Sequence, residues 1–259
     1  MDKFHSSSLS IGTSPIEMFK FRGKRETEEA LRNIGFTGAP ETNQQGSNLE
    51  ANVWLPFAAK EYNLSTDIRD YVLVPVPILF SDIPNTNGDS VSMAQLLRFY
   101  PDMGMQAFKT FRGKPTFVEH DNQDITRAKG VIMDVYLRRM QRFGNGRYFK
   151  LIELLAWDRT KDPMLVNSIL SGENNAYSLG FYFQSYECSI CRLKFGKGGR
   201  KDPCTHTRVS PKPVPTHQMP DGRLAYRMCE SIMGFETSSV VNPAYCPAIS
   251  HHVLDLSKA

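Results

Sequence analysis

The chain has 259 residues, of which 41% are hydrophobic and 22% charged, a composition typical of a globular protein with a sizeable core. Its formal net charge of +4 is too small to indicate nucleic-acid binding by itself. No apolar run approaches the roughly 20 residues of a membrane helix, and the opening MDKFHSSSLS lacks the apolar segment of a signal peptide. We therefore expect a soluble intracellular protein without membrane contact.

Residues 1–60 are predicted to form an N-terminal arm and linker ahead of a domain that spans residues 61–259. After a serine-rich start, the arm has one short predicted helix over residues 26–33, which Gly35 ends. The polar, turn-rich sequence APETNQQGSN that follows is typical of a linker. Two interpretations of the arm stay open, a flexible terminus and a segment that docks on a partner.

The first predicted strand is DYVLVPVPILF, whose continuous apolar run indicates burial on both faces. Pro75 and Pro77 remove two hydrogen-bond donors and favour a place toward a sheet edge. A short amphipathic helix is predicted in SMAQLLRFY. From Met105 onward the pattern becomes mostly β, with short strands expected in AFKTF and in TFVEH, the second of which ends at His120.

The middle of the domain is predicted to be a hairpin followed by a helix and a strand. GVIMDVYLR alternates Val131, Met133, Val135 and Leu137 on one face, Gly144-Asn145-Gly146 indicates the turn, and RYFKLIELLAW gives the return strand. KDPMLVNSILSG has a capping aspartate, a proline at the first helical position and a terminal glycine, all typical of a helix. The sum is a β-rich α+β fold.

A Cys-x-x-Cys pair, Cys188 and Cys191, precedes Cys204 and His206 by a glycine- and lysine-rich loop. Three thiolates and one imidazole suit a tetrahedral structural zinc ion, so residues 186–220 are predicted to be an inserted zinc clip. All four positions have protein ligands, which argues against a zinc hydrolase with an open water site. The alternative is three free cysteines beside an incidental histidine.

The remaining cysteines, Cys229 and Cys246, fall outside this cluster and are expected to be buried apolar residues. The loop of the clip is basic through Lys194, Lys197, Arg200 and Lys201. Contact with nucleic acid is conceivable there, but the loop lacks interleaved aromatic residues and a recognisable binding motif, so a solvated tip is the better interpretation.

The strand AYSLGFYF places Ser178, Gly180 and Tyr182 on one face, and its larger apolar residues on the other, which is the better core face. Ser178 lies in neither a Gly-x-Ser-x-Gly elbow nor a Ser-x-x-Lys pattern, so local sequence alone favours a structural serine. Likewise His120, between Glu119 and Asp121, has the surroundings of a solvated loop histidine.

Four motifs in order change this interpretation. FRGKPTFVEHD, the strand that begins at Gly130, SILSGENNAYSLGF and FETSSVVNPAYCPA together resemble the prohead maturation proteases of tailed bacteriophages, which are related to the herpesvirus assemblins. The last motif is similar to the family's closing pattern of Glu-x-Ser-x-Val followed by Pro-Ala. The resemblance extends over residues 105–250 and implies an assemblin-like β-barrel with flanking helices. The zinc clip departs from the simplest members, in which the serine strand and the acidic strand follow closely.

Carried over by position, the resemblance implies that His120 is the general base, Ser178 the nucleophile and Glu236 the third catalytic residue. The last assignment has the rivals Asp121, Asp124 and His217. The implied activity is a serine endopeptidase that cleaves scaffold and major capsid proteins inside the assembling prohead, in the host cytoplasm, as a homo-oligomer. A first rival is a catalytically silent virion protein with the same fold, and a distant second is a zinc-containing nucleic-acid-binding module.

Overall fold

The computed structural model describes residues 51–140, 148–207 and 217–258. The helix predicted in the arm and the Gly144-Asn145-Gly146 turn lie outside the described residues. Three α-helices are present in the described ranges: α1 (Ala51–Tyr62), α2 (Met93–Leu97) and α3 (Pro163–Ser171). Within the same ranges, no helix is long and apolar enough to cross a membrane.

The described fold is β-rich, with a curled seven-stranded sheet and a smaller four-stranded sheet. The strands in chain order are β1 (Tyr71–Phe80), β2 (Asp89–Val91), β3 (Phe99–Tyr100), β4 (Met105–Gln106), β5 (Pro115–Val118), β6 (Gly130–Arg139), β7 (Phe149–Asp158), β8 (Tyr177–Tyr182), β9 (Ser185–Cys188), β10 (Lys194–Gly196), β11 (His217–Gln218), β12 (Leu224–Ala225), β13 (Arg227–Glu230), β14 (Met233–Ser239) and β15 (Leu254–Asp255).

The large sheet has the order β15-β1-β7-β6-β5-β14-β8 and curls into a half-barrel. Its neighbours are antiparallel except β5 and β14, which are parallel. The small sheet has the order β10-β9-β13-β2, and two pairs, β3-β4 and β11-β12, stand apart from both. The coarse prediction of a β-rich fold is confirmed.

Apolar side chains cover both faces of the large sheet, because its long central strands are buried on both sides. Val74 and Trp157 belong to one core cluster, and Leu73 and Ala156 to the other. Leu55, Ala58 and Tyr62 of α1 pack into the second cluster, so residues 51–60, which the sequence assigned to the arm, form part of a helix on the core.

A β-bulge in β6 changes the predicted alternation along this strand. Ile132 pairs with Leu155 and Asp134 with Leu154, which leaves Met133 as the extra residue. Val131 and Met133 therefore face one core cluster and Val135 the other, so the prediction that all three share a face is wrong. An inserted residue reverses the facing of every side chain beyond it.

The segment AFKTF is a 3₁₀ helix, Ala107–Phe111, where a strand was predicted. Thr110 donates its hydroxyl hydrogen to the carbonyl of Ala107 at 2.6 Å, which closes the turn locally. Phe111 packs against Gly234, where an added Cβ would lie 2.6 Å from the Phe111 Cα. This close tertiary packing overrides the strand preference of the aromatic residues.

Two local predictions are confirmed. Helix α3 starts at the cap Asp162, whose Oδ1 accepts from the N–H of Leu165 at 3.0 Å, and ends at Gly172 with φ 81°. Strand β1 is buried on both faces, and β15 pairs only with its first part, at Val72 and Leu73. Its two prolines lie beyond that short pairing, where the missing N–H groups cost little.

Strands β8 and β14 extend beyond the large sheet as one ribbon. Tyr182 pairs with Met233 at the end of the β8–β14 ladder, and the next pairing, Ser185 with Glu230, opens the antiparallel ladder of β9 with β13. The ribbon ends at Cys188, which pairs with Arg227. The cysteine cluster therefore lies at the far end of the two strands that carry Ser178 and Glu236.

Candidate active site and metal centre

The register of β8 with β14 brings Ser178 and Glu236 to one face of the sheet. Ser178 pairs with Ser238 and Gly180 with Glu236, so these four side-chain positions point the same way. On the opposite face, Tyr177 is fully buried in the core. The prediction that Tyr177 lies on the core face of this strand is confirmed, and Ser178 lies on the opposite face.

His120 reaches this face through a turn that follows β5. The strand ends at Val118, and Glu119 donates its N–H to the carbonyl of Ser239 at 2.9 Å. Glu119 and His120 then both adopt the left-handed region, with φ 50° and 57°. This conformation is uncommon for residues other than glycine and persists only where surrounding contacts stabilise it. Residues in this conformation are often found at functional sites.

The imidazole of His120 and the carboxylate of Glu236 form a direct pair, with Nδ1 2.7 Å from Oε1. The Glu236 side chain is 1% exposed, whereas the His120 side chain is 43% exposed. The hydrogen bond to Glu236 raises the pKa of His120 above its usual value, while partial burial acts in the opposite direction. The Nε2 atom is left on the side away from Glu236.

The side chain of Ser238 forms hydrogen bonds with both residues of the His120–Glu236 pair. Its hydroxyl donates to Oε2 of Glu236 at 2.7 Å and accepts from the backbone N–H of His120 at 3.2 Å. Sequence reasoning did not single out Ser238, although its spacing of two from Glu236 places both on one face of a strand.

Gly180 leaves room for the Glu236 carboxylate. A Cβ atom at position 180 would lie 2.5 Å from Oε1 and 3.2 Å from Cδ of Glu236. Heavy atoms do not approach this closely, so any larger residue would displace the carboxylate from its position beside His120. This close approach explains why position 180, which lies opposite Glu236 and two residues after Ser178, is a glycine.

Ser178 is 5% exposed and lies beside Ser238, the residue whose hydroxyl contacts both members of the His120–Glu236 pair. Among the described residues, no hydrogen bond joins the Ser178 hydroxyl to the His120 ring. Catalytic hydrogen bonds are often long in ligand-free enzymes and shorten when substrate binds. The structure thus brings His120, Ser178 and Glu236 to one face and pairs the last with the first.

The three rivals of Glu236 have other surroundings. Asp121 forms an ion pair with Arg127 at 2.6 Å. Asp124 caps a short 3₁₀ helix by accepting from the N–H of Thr126 at 2.9 Å. His217 lies in β11, which pairs with β12 in a separate two-stranded sheet. Glu236 is the carboxylate in contact with the His120 ring.

A second buried carboxylate, Glu153, lies on the core side of the same strand pair. Thr237 donates its hydroxyl hydrogen to Oε2 of Glu153 at 2.7 Å, and Oε1 has no hydrogen-bond partner among the described residues. Burial raises the pKa of Glu153 to about 8, and the negative charge of Glu236 adds to this, while the Thr237 hydroxyl acts against it. Sequence reasoning missed Glu153, whose signal is a lone acid in the apolar strand RYFKLIELLAW.

The four predicted metal ligands also lie together. One ligand atom from each of Cys188, Cys191, Cys204 and His206 lies within 4.8 Å of every other, so the cluster can hold a metal ion. The Sγ of Cys188 is 3.9 Å from Nδ1 of His206. Cys229 is buried as predicted, but Cys246 is exposed, so the expectation that it is buried is wrong.

The first two ligands lie on a tight turn between β9 and β10. The N–H of Ile190 donates to the Cys188 sulfur at 3.4 Å, and Arg192 donates its N–H to the Cys188 carbonyl with φ 61° at its own position. Burial raises the pKa of the Cys188 thiol to about 11, and the backbone donors to its sulfur act against this by favouring the thiolate that metal binding requires. Tyr186 and Phe195 stack at 5.1 Å beside the cluster and form its small apolar core.

The basic character of the clip is partly neutralised within the fold. Lys194 forms an ion pair with Glu230, and Arg192 forms one with Glu187 at 2.7 Å. The cations left at the tip of the loop are Lys197, Arg200 and Lys201, all exposed. This distribution leaves a small positive tip instead of a continuous basic face.

No protein-family model, curated protein or solved structure matches this chain.

Proposed function

We propose that this protein is a serine endopeptidase in which Ser178 is the nucleophile, His120 the general base and Glu236 the residue that orients the base. The observation that carries this proposal is the 2.7 Å contact between His120 Nδ1 and Glu236 Oε1 on the sheet face that also contains Ser178. A base held by a buried carboxylate beside a serine is the arrangement that nucleophilic serine catalysis requires.

In the proposed mechanism, Nε2 of His120 accepts the Ser178 hydroxyl proton as Oγ attacks the carbonyl carbon of the scissile peptide. The resulting imidazolium is stabilised by Glu236 and then donates the proton to the leaving amine, which departs as an acyl-enzyme forms. Water repeats the sequence: His120 takes its proton, the hydroxide attacks the ester carbon, and Ser178 leaves with that proton restored.

We further propose that the substrates are scaffold and major capsid proteins, and that cleavage takes place in an assembling phage prohead. The support is the order of the four motifs around His120, the Gly130 strand, Ser178 and Glu236. Strand β14 pairs with β5 on one side and with β8 on the other, so the motifs that contain His120, Ser178 and Glu236 lie side by side in one sheet.

The metal ion of the clip is proposed to be zinc with a structural role. Three thiolates and an imidazole with mutual distances under 4.8 Å fit tetrahedral zinc, for which sulfur and nitrogen ligands lie about 2.0–2.3 Å from the ion. When bound, zinc would supply folding free energy to the ribbon that β9 and β13 form.

The proposal is tested by incubating the purified protein with purified phage capsid and scaffold proteins, and following cleavage by mass spectrometry. Wild type is expected to cut, and Ser178→Ala and His120→Gln to be inactive. A fluorophosphonate probe, which reacts with activated serines, should label Ser178 in wild type and not in His120→Gln. Unchanged cleavage in Ser178→Ala would disprove the assignment of the nucleophile.

The silent virion protein stays a second candidate because no hydrogen bond joins Ser178 to His120 in the described structure. It predicts that wild type assembles into particles, cuts neither protein and is not labelled by the probe. The same experiment therefore separates the two candidates.

A further inference from the structure

We infer that Ser238 is a positioning residue that fixes Glu236 and His120 relative to each other for the chemistry of Ser178. Its effect on cleavage rests on the proposed protease function, whereas its effect on the His120–Glu236 pair does not.

The contacts of one hydroxyl carry this inference. Ser238 is fully buried, and its Oγ is the donor to Oε2 of Glu236 at 2.7 Å. Because a backbone N–H can only donate, the same oxygen accepts from the N–H of His120, at 3.2 Å. One side chain thus holds the carboxylate by its far oxygen and the histidine by its backbone.

These two contacts restrain rotation of the Glu236 carboxylate and movement of the His120 backbone. Glu236 uses Oε1 for the imidazole and Oε2 for Ser238, so neither oxygen can rotate without losing a bond. The N–H of His120 belongs to a residue in the left-handed region, where the backbone depends on its surroundings. Loss of the Ser238 hydroxyl would release both restraints together.

The chain contains a matched control in the next residue. Ser239 lies on the same strand, is also buried and also donates a side-chain hydrogen bond, in its case to Oδ1 of Asn174. It points to the other face of β14 and does not contact the His120–Glu236 pair. An alanine at 239 removes a buried hydroxyl from the same strand without touching the site.

The first measurement compares kcat and KM of Ser238→Ala, Ser239→Ala and Ser238→Thr on a peptide cut by the wild type. Ser238→Ala is expected to lower kcat by about 10- to 100-fold at unchanged KM, because orientation is lost and substrate contacts are not. Ser239→Ala is expected to stay within about two-fold. Ser238→Thr keeps the hydroxyl and should recover most of the loss, and Ser238→Cys is the substitute if the added methyl prevents folding.

The second measurement does not need catalysis. The pH titration of the His120 ring is followed by NMR and assigned, among the six histidines of the chain, with His120→Gln. In Ser238→Ala the midpoint should fall, because the Glu236 carboxylate no longer stays beside the ring, while the neighbouring Glu119 carboxylate continues to raise the pKa of His120. Ser239→Ala should leave it unchanged.

The outcomes separate the two levels of the proposal. An unchanged titration and an unchanged kcat in Ser238→Ala would overturn the positioning role. A wild-type protein that cuts nothing would refute the protease function, while the titration would still decide whether Ser238 holds the pair.

Discussion

Nδ1 of His120 and Oε1 of Glu236 lie 2.7 Å apart although 116 positions separate the two residues in the chain. The pairing depends on β14, which is the parallel neighbour of β5 on one side and the antiparallel neighbour of β8 on the other. The strand with the acid therefore runs between the strand that leads to the histidine and the strand with the serine.

The His120–Glu236 pair determines the expected pH dependence of cleavage. Because His120 must be neutral to accept a proton, activity should rise with pH through its pKa, which the hydrogen bond to Glu236 raises. The midpoint of kcat/KM against pH is therefore expected above about 6.5, the unperturbed histidine value. Glu236→Gln should shift the midpoint downward and reduce kcat, by up to about 10⁴-fold, which is the loss seen when the orienting acid of a Ser-His-Asp triad is replaced by its amide. An unshifted midpoint in the variant would contradict the assignment of Glu236.

Gly180 should be needed because of the space that Glu236 occupies. Gly180→Ala places a Cβ 2.5 Å from the carboxylate oxygen, so the variant is expected to lose about 1–3 kcal/mol of stability and most of its activity. The control is the same substitution in a Glu236→Ala background, where the obstructing carboxylate is gone. The free energy of unfolding is measured by chemical denaturation for the wild type, Gly180→Ala, Glu236→Ala and the double variant. Gly180→Ala should lower it less in the Glu236→Ala background than in the wild type. An equal cost in the wild-type and Glu236→Ala backgrounds would mean that the backbone at position 180, and not the space taken by the carboxylate, requires glycine.

The metal cluster should stabilise the ribbon and be specific to its four ligands. Elemental analysis is expected to find one zinc ion per chain in the wild type and in Cys246→Ser, whose cysteine is exposed and outside the cluster. Cys204→Ser should lose the metal and lower the thermal midpoint, since metal binding and folding are coupled.

Chelation should also reduce cleavage, because β9 and β13 continue the ladder that aligns Ser178 with Ser238. Readdition of zinc should restore it in wild type and not in Cys204→Ser. Full activity of the metal-free protein would show that the two ends of the ribbon are independent.

Local sequence patterns predicted much of this fold. The features that they did not predict depend on pairing between strands that are distant in the chain. The capping of α3 by Asp162 and the alternation around Ser178 were visible because they depend on neighbours within a few residues. The bulge at Met133 was not, since its position is set by the partner strand β7. Ser238 and Glu153 were missed for the same reason: their roles arise from contacts with His120 and Thr237, which lie far from them in sequence.

The last prediction concerns Glu153, which is fully buried and whose pKa is raised to about 8, chiefly by burial. Between the ordinary glutamate value of about 4.3 and this value, the unfolded chain releases a proton that the folded chain retains. Stability should therefore fall as pH rises through this window, with a contribution of roughly 1 kcal/mol per pH unit from this group. Glu153→Gln stays neutral and keeps an acceptor for the Thr237 hydroxyl, so its stability should depend less on pH. Urea denaturation of both proteins from pH 5 to 8 measures the difference, and parallel curves would mean that Glu153 is ionised in the folded state.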